Sequence, residues 1–314
     1  MPKMKRSRRG SKAFWPKKRA KRIYPGVKSY PAVERAKPLA FAAYKAGMLQ
    51  AAIIDNRKGS PNFGQEIVVP VTVLDCPPMS VVGVRLYSLS PKGLTVLREV
   101  LADRKKPEAS ADKLDKIAAE KVSKISNVRL IIATQPKLAG FGKKKQDLLE
   151  VEVGGKGVNE KIDFAKEKLG KELTAGDVVQ EGGYVDAIAI TTGKGTIGPV
   201  KRFGIKIQNR HAKGKRRHTG TLGQERPGKV RPTVPQAGQM GFQRRTESNK
   251  RVLKIAEGKD ITPKAGFNRY GIVRGTCVVI EGSVPGPKKR LIVLRQAMRA
   301  TKPPAPVEVK EIIR

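Results

Sequence analysis

Residues 184–202 read YVDAIAITTGKGTIGPVKR, and how the second half of this stretch is understood decides the fold. The first nine residues are short, β-rich and bounded by glycine, which is a strand pattern. Gly193, Gly195 and Gly198 then spell GxGxxG. After a strand, that spacing invites a dinucleotide-binding reading, which requires a helix behind the glycines and an acidic side chain roughly 20 residues on. Pro199 follows at once, and residues 213–218 are KGKRRH, a basic cluster that cannot hold a ribose hydroxyl as a carboxylate does. The better reading is a glycine-rich turn whose backbone at Gly193, Gly195 and Gly198 passes close to phosphates, with Lys194 and Arg202 beside it.

Working outward, Val, Ile and Ala dominate 39–54, 66–74, 80–88, 251–256, 270–281 and 290–295, with Gly, Asn, Asp and Pro between them. These read as strands. Pro70 lies inside EIVVPVTVL, so that strand should be at an edge or bulged. The middle differs. SPKGLTVLREVL reads as a helix with Ser90 as N-cap and Pro91 in the first turn. ADKLDKIAAEKVSKI sets Leu114, Ile117, Ala118, Val122 and Ile125 on one helical face. NVRLIIAT and DLLEVEV read as strands, and VNEKIDFAKEKL as a helix. Strands at both ends with a mixed middle predict a mainly β fold, a barrel interrupted by an α+β insertion. The expected parts are an arm at 1–37, a barrel body at 38–94, 182–200 and 251–300, and an inserted α/β subdomain at 95–181. A basic extension at 201–250 and a tail at 301–314 complete the chain.

The 314 residues carry 66 Lys and Arg against 27 Asp and Glu, a formal net charge of +39. A compact chain with that charge repels itself unless a polyanion neutralises it. The charge is also segregated, because residues 102–181 hold 17 bases and 14 acids and leave nearly all the excess elsewhere. No apolar run reaches the roughly 20 residues of a membrane span, and no apolar core follows the basic N-terminus as a secretory signal needs. Cys76 and Cys277 lack CxxC spacing and suit a reducing compartment as two buried core residues.

Residues 1–28 hold twelve bases and no acid. They read as an extended arm that orders on RNA, with Arg6, Arg8, Arg9, Lys17 and Lys18 on phosphates. A solubility tail or an import signal has the same composition. Phe14 and Trp15 favour RNA, since a ring such as that of Trp15 can stack on a base. Residues 193–250 hold fifteen bases and two acids, Glu225 and Glu247, without apolar periodicity. So long a basic stretch inside a compact domain must be functional or leave it. Arg210, His211, Lys213, Lys215, Arg216, Arg217, His218, Lys229 and Arg231 are its candidate RNA ligands. The two histidines lack the carboxylate or thiolate neighbours of a metal site, so neither a metal nor a cofactor is expected. Gly238, Gln239, Met240, Gly241 and Phe242 form a candidate tight turn. Gly238 and Gly241 would permit close backbone approach, Gln239 and Phe242 would contact RNA, and Arg244 and Arg245 follow. Lys288 and Lys289, in VPGPKK, are phosphate ligands or equally a solvated hairpin tip. Three classes compete: a structural RNA-binding protein, an RNA-modifying enzyme and a DNA-architectural protein. No acid–base or cofactor motif supports the enzyme, and a basic extension from the interior of the chain suits folded RNA better than duplex DNA.

TTGKGTIGPVKRFGIK, QAGQMGFQRRTESNKRVLKI and YGIVRGTCVVIEGSVPGPKKRLIVLR occur in this order. In that order they resemble the ribosomal protein L3 family, in its archaeal branch. The GKGxxGxxxR pattern falls on Gly193, Lys194, Gly195, Gly198 and Arg202. The resemblance implies a translation-factor-like β-barrel with an α/β insertion, in the large ribosomal subunit in the cytoplasm. It implies large-subunit rRNA and neighbouring ribosomal proteins as partners, with no membrane, no small-molecule substrate and no enzymatic activity. It also implies a role in early assembly and an extension whose tip approaches the peptidyl-transferase centre. The chain departs from the family at Glu225 and Arg226, where relatives carry a Trp–Asn or Trp–His pair, and at Pro232, where eukaryotic relatives carry a Trp. A histidine methylated in some relatives is therefore replaced by Arg226. Gln239 matches a glutamine methylated in some bacterial relatives.

Overall fold

A computed structural model describes residues 10–57, 59–103, 110, 112–117, 124–226, 228–300 and 307–313. The strands run in chain order as β1 (Ala40–Ile54), β2 (Glu66–Asp75), β3 (Met79–Ser90), β4 (Gly93–Leu101), β5 (Asn127–Thr134), β6 (Leu148–Glu152) and β7 (Glu172–Leu173). Then come β8 (Tyr184–Ile190), β9 (Thr196–Ile197), β10 (Gly238–Gln239), β11 (Arg244–Glu257), β12 (Thr276–Glu281), β13 (Leu291–Gln296) and β14 (Val309–Ile313). The helices are α1 (Val158–Lys168), α2 (Pro199–Phe203) and α3 (Gly258–Ile261). The fold is mainly β, and the pairings are antiparallel. The chain divides into two compact units, one of 24–189 with 245–314 and one of 1–23 with 190–244.

In the larger unit, seven strands lie in the order β13-β8-β11-β12-β2-β1-β14, and β13 also pairs with β1. The hydrogen bonding therefore returns on itself through six strands and leaves β14 outside the ring. Closure of this kind removes sheet edges. It also explains Pro70. The β2–β12 ladder ends at Val71, so residues 66–70 pair only with β1 and Pro70 needs no N–H on its open side. Phe41, Tyr44, Val73, Leu74, Val278, Ile292 and Leu294 fill the core. A bulge between Lys45 and Gly47 brings β1 against Phe267, where a Cβ on Gly47 would lie 2.4 Å from the ring. Burial lowers the pKa of Lys45, whose ammonium donates to the Val284 carbonyl at 2.6 Å.

The second sheet has the order β4-β3-β5-β6, with β7 added beside β3. It corrects the reading of residues 90–101. They form no helix. Pro91 and Lys92 make a hairpin turn, Ser90 donates its hydroxyl to the Gly93 carbonyl at 2.8 Å, and β4 returns along β3. Strand β3 thus belongs to this sheet, which joins residues 79–101 to strands from the expected insertion. Residues 112–117 are helical with Leu114 buried, and Ile125 is buried too, while Ala118 and Val122 lie outside the described residues. Helix α1 buries Ile162 and Ala165. The acids of this region face bases. Arg85 pairs with Glu99 and Glu150, and Arg129 with Glu150 and Glu152.

Candidate nucleic-acid interface

The smaller unit holds 24 of the 66 bases and a single acid, Glu225. No internal pairing can neutralise such an excess. The two glycine motifs, more than forty residues apart in sequence, are one structure. Strands β9 and β10 pair antiparallel, with Thr196 opposite Gln239 and Ile197 opposite Gly238. The Met240 amide donates to the Gly195 carbonyl at 2.9 Å, and the Lys194 amide to the Met240 carbonyl at 3.0 Å. Further along, the Thr191 amide reaches the Gln243 carbonyl at 3.0 Å.

This pairing shows what the glycines do within the protein. Gly241 has φ +71°, and a Cβ there would sit 2.0 Å from the Thr192 carbonyl oxygen. Its close approach is to its own chain. A Cβ on Gly238 would meet the end of the Arg202 side chain at 3.0 Å. Gly193 faces Phe242 at ordinary contact distance, whereas none of the described residues lies within 4 Å of a Cβ on Gly195 or Gly198. Gln239 spends its side-chain amide on the Met240 and Gly241 carbonyls, at 3.2 and 3.0 Å.

Pro199 does not prevent a helix, contrary to the reading from the sequence. It begins the one-turn α2, where its missing N–H costs nothing, and Gly204 ends the turn at φ +64°. At five residues, α2 is not the long helix of a dinucleotide fold. It positions Arg202 and Phe203. Arg202 donates from Nε to the Gln239 carbonyl and from NH1 to the Gln236 carbonyl, both at 3.0 Å. Burial lowers the pKa of Arg202. Phe203, only 7% exposed, is the hub that sequence reading missed. Trp15 stacks on it at 6.0 Å between centroids and 28° between planes. The Lys17 ammonium and the Arg202 guanidinium lie 5.2 and 5.1 Å from the centroid of the same ring. A Cβ on Gly10 would lie 2.5 Å from its edge. The spacing of Pro199 and Phe203, one helical turn apart and both buried, was the signal for it. Trp15 therefore stacks on protein on one side, although its indole N–H has no partner among the described residues. The arm is tied again where the Ala20 amide donates to the Phe242 carbonyl at 2.8 Å.

The other candidates spread over the surface. Lys18, Lys194, Arg210, His211, Lys213, Lys215, Arg216, Arg217, His218, Lys229, Arg231 and Arg244 are exposed. A 3-10 segment, Arg210–Lys215, carries Arg210, His211, Lys213 and Lys215 and is kinked at Lys213. In the larger unit, Arg245 is half-buried and burial lowers its pKa. Lys288 and Lys289 are exposed, though Lys288 donates to the Asn268 carbonyl at 2.9 Å. Arg6, Arg8 and Arg9 lie outside the described residues.

The family model for ribosomal protein L3 matches residues 1–114 and 104–312. The chain belongs to the ribosomal protein L3 family. Among its relatives, large ribosomal subunit protein uL3 of Methanococcus maripaludis is 48% identical over 95% of this chain and 93% of its own. Its counterparts in Methanothermobacter thermautotrophicus and Methanopyrus kandleri are also 48% identical, over 93% and 98% of this chain and 92% and 89% of theirs. Membership in this family agrees with the expectation of a protein that is not an enzyme. The family motifs GKGTIG and GQMG are the two halves of the β9–β10 ladder. Glu225, Arg226 and Pro232 are exposed.

Proposed function

We propose that this protein is a structural constituent of the large ribosomal subunit that binds large-subunit rRNA. The observation that carries this reading is the smaller unit, with 24 bases against one acid, whose described bases are mostly exposed and whose two glycine motifs are joined by the β9–β10 ladder. Such a surface gains affinity by releasing counterions from phosphates. Gly241 and the ladder hold the two motif segments together, so the described bases beside them are presented in a set geometry. The relatives' names supply the particle.

Within this reading, the ring of six strands is a translation-factor-like β-barrel and residues 95–181 are its insertion. The arm of 1–37 and the extension of 201–250 enter rRNA, support early subunit assembly, and carry the extension tip toward the peptidyl-transferase centre. Neighbouring ribosomal proteins are further partners, and the place of action is the cytoplasmic ribosome. The test is co-sedimentation of tagged protein with large subunits before and after RNase. RNase-sensitive sedimentation is expected. Sedimentation that survives complete RNA digestion would mean that protein contacts, not rRNA, hold it.

A further inference from the structure

The extension folds around an open cavity of about 700 Å³, within the range of small-ligand sites. Its lining includes the apolar residues Pro199, Leu222 and Ala237 and the polar residues Gln208, Lys215, His218 and Gln236. No acid lines it. Its frame is held by backbone bonds: the Gln208 amide to the Arg216 carbonyl at 2.9 Å, and the His218 amide to the Lys215 carbonyl at 3.1 Å. Thr219 donates its hydroxyl to the Pro235 carbonyl and so joins the two sides. The Gln208 side chain gives one amide hydrogen to the His218 carbonyl at 3.2 Å, which leaves its oxygen to accept. The His218 ring and the Lys215 ammonium have no hydrogen-bond partner among the described residues.

We propose that this cavity holds one unstacked nucleotide of the bound RNA. This rests on the rRNA-binding reading and adds a site to it. The chemistry matches part by part. An imidazole face can stack a base, and Leu222 and Pro199 add apolar surface to the same lining. Gln208 and Gln236 present amide groups to a base edge. Lys215 answers the phosphate, and exposed Arg210, Arg216 and Arg217 nearby favour a strand rather than a free metabolite. A cavity open to solvent lets the nucleotide stay joined to its neighbours.

The experiment uses the full chain bound to large-subunit rRNA, cross-linked by ultraviolet light, with the attached nucleotide mapped by mass spectrometry. A mononucleotide adduct within 215–222 or at 236–237 is expected. Two variants accompany it. A Cβ at Gly220 points into open space beside Gln208, at 3.8 Å, so Gly220→Phe fills the cavity without altering charge. It should remove the adduct and weaken binding about tenfold, as loss of one stacked base does, with the salt slope unchanged. His218→Ala should weaken binding similarly, and His218→Phe should restore it. If wild-type protein binds rRNA but gives no adduct there, or if Gly220→Phe binds as tightly as wild type, the nucleotide site is wrong while the rRNA reading stands. If wild-type protein does not bind rRNA at all, both fall.

Discussion

Gly241→Ala tests whether the family glycines serve the fold or the RNA. The methyl group would lie 2.0 Å from the Thr192 carbonyl oxygen, a backbone atom that cannot swing aside. The residue also sits at φ +71°, which costs an L-residue about 1–2 kcal/mol. Separating the segments sacrifices the hydrogen bonds from Phe242 to Thr192 at 3.3 Å and from Lys194 to Met240 at 3.0 Å, at about 1 kcal/mol each. The local loss is therefore about 3–4 kcal/mol. At 1.4 kcal/mol per decade, this raises opening of the ladder by roughly 10²–10³. Two companions calibrate it. Gly238→Ala, at φ +157°, would meet the end of the Arg202 side chain at 3.0 Å and not a backbone atom, so its cost should be about 1–2 kcal/mol from backbone strain and a weakened Arg202 hydrogen bond, below that of Gly241→Ala. Gly198→Ala meets nothing and should be neutral within about 0.5 kcal/mol. Amide hydrogen exchange at Lys194, Met240 and Phe242 in the free protein reads all three without RNA. If Gly241→Ala leaves protection unchanged, or if Gly238→Ala is as damaging, the close approach is not internal.

Phe203→Ala should release Trp15, the chain's one tryptophan, and shift its emission to the red in the free protein; an unchanged spectrum would contradict the stack of arm on α2. Burial raises the pKa of Asp75, and the hydrogen bond from the Tyr270 hydroxyl at 2.6 Å pulls it back. A raised carboxyl pKa means that stability falls as pH rises from the unfolded value through the folded one. Tyr270→Phe should widen that window and cost about 1–3 kcal/mol, more at pH 7 than at pH 4, in denaturant titrations; an equal cost at both would contradict the coupling. Arg295 and Asp186 form a buried pair at 2.5 Å, so Arg295→Met should cost about 3–5 kcal/mol, and adding Asp186→Leu should recover part of it. A double variant no more stable than the single would mean that Asp186 is not the charge left stranded.

Where the charge lies, most strands of the seven-stranded sheet, and the failure of Gly193–Gly198 as a dinucleotide loop were legible in the sequence. Composition and strand periodicity are local properties, and they survive whatever the chain does elsewhere. Tertiary structure decided the rest. In β4, the register slips between Leu86–Arg98 and Tyr87–Val96, so Leu97 has no opposite residue. The sequence is apolar at 94, 96, 97, 100 and 101, partly a helical spacing, and the bulge at Leu97 is what accommodates it in a strand. Likewise, Pro199 looked like a stop because its role depends on being first in a turn. The two glycine motifs looked like separate RNA contacts because only their pairing shows that Thr192 fills the space Gly241 leaves open. The partner of a close approach is never written beside it in the sequence. It is chosen by which distant strand folds against it.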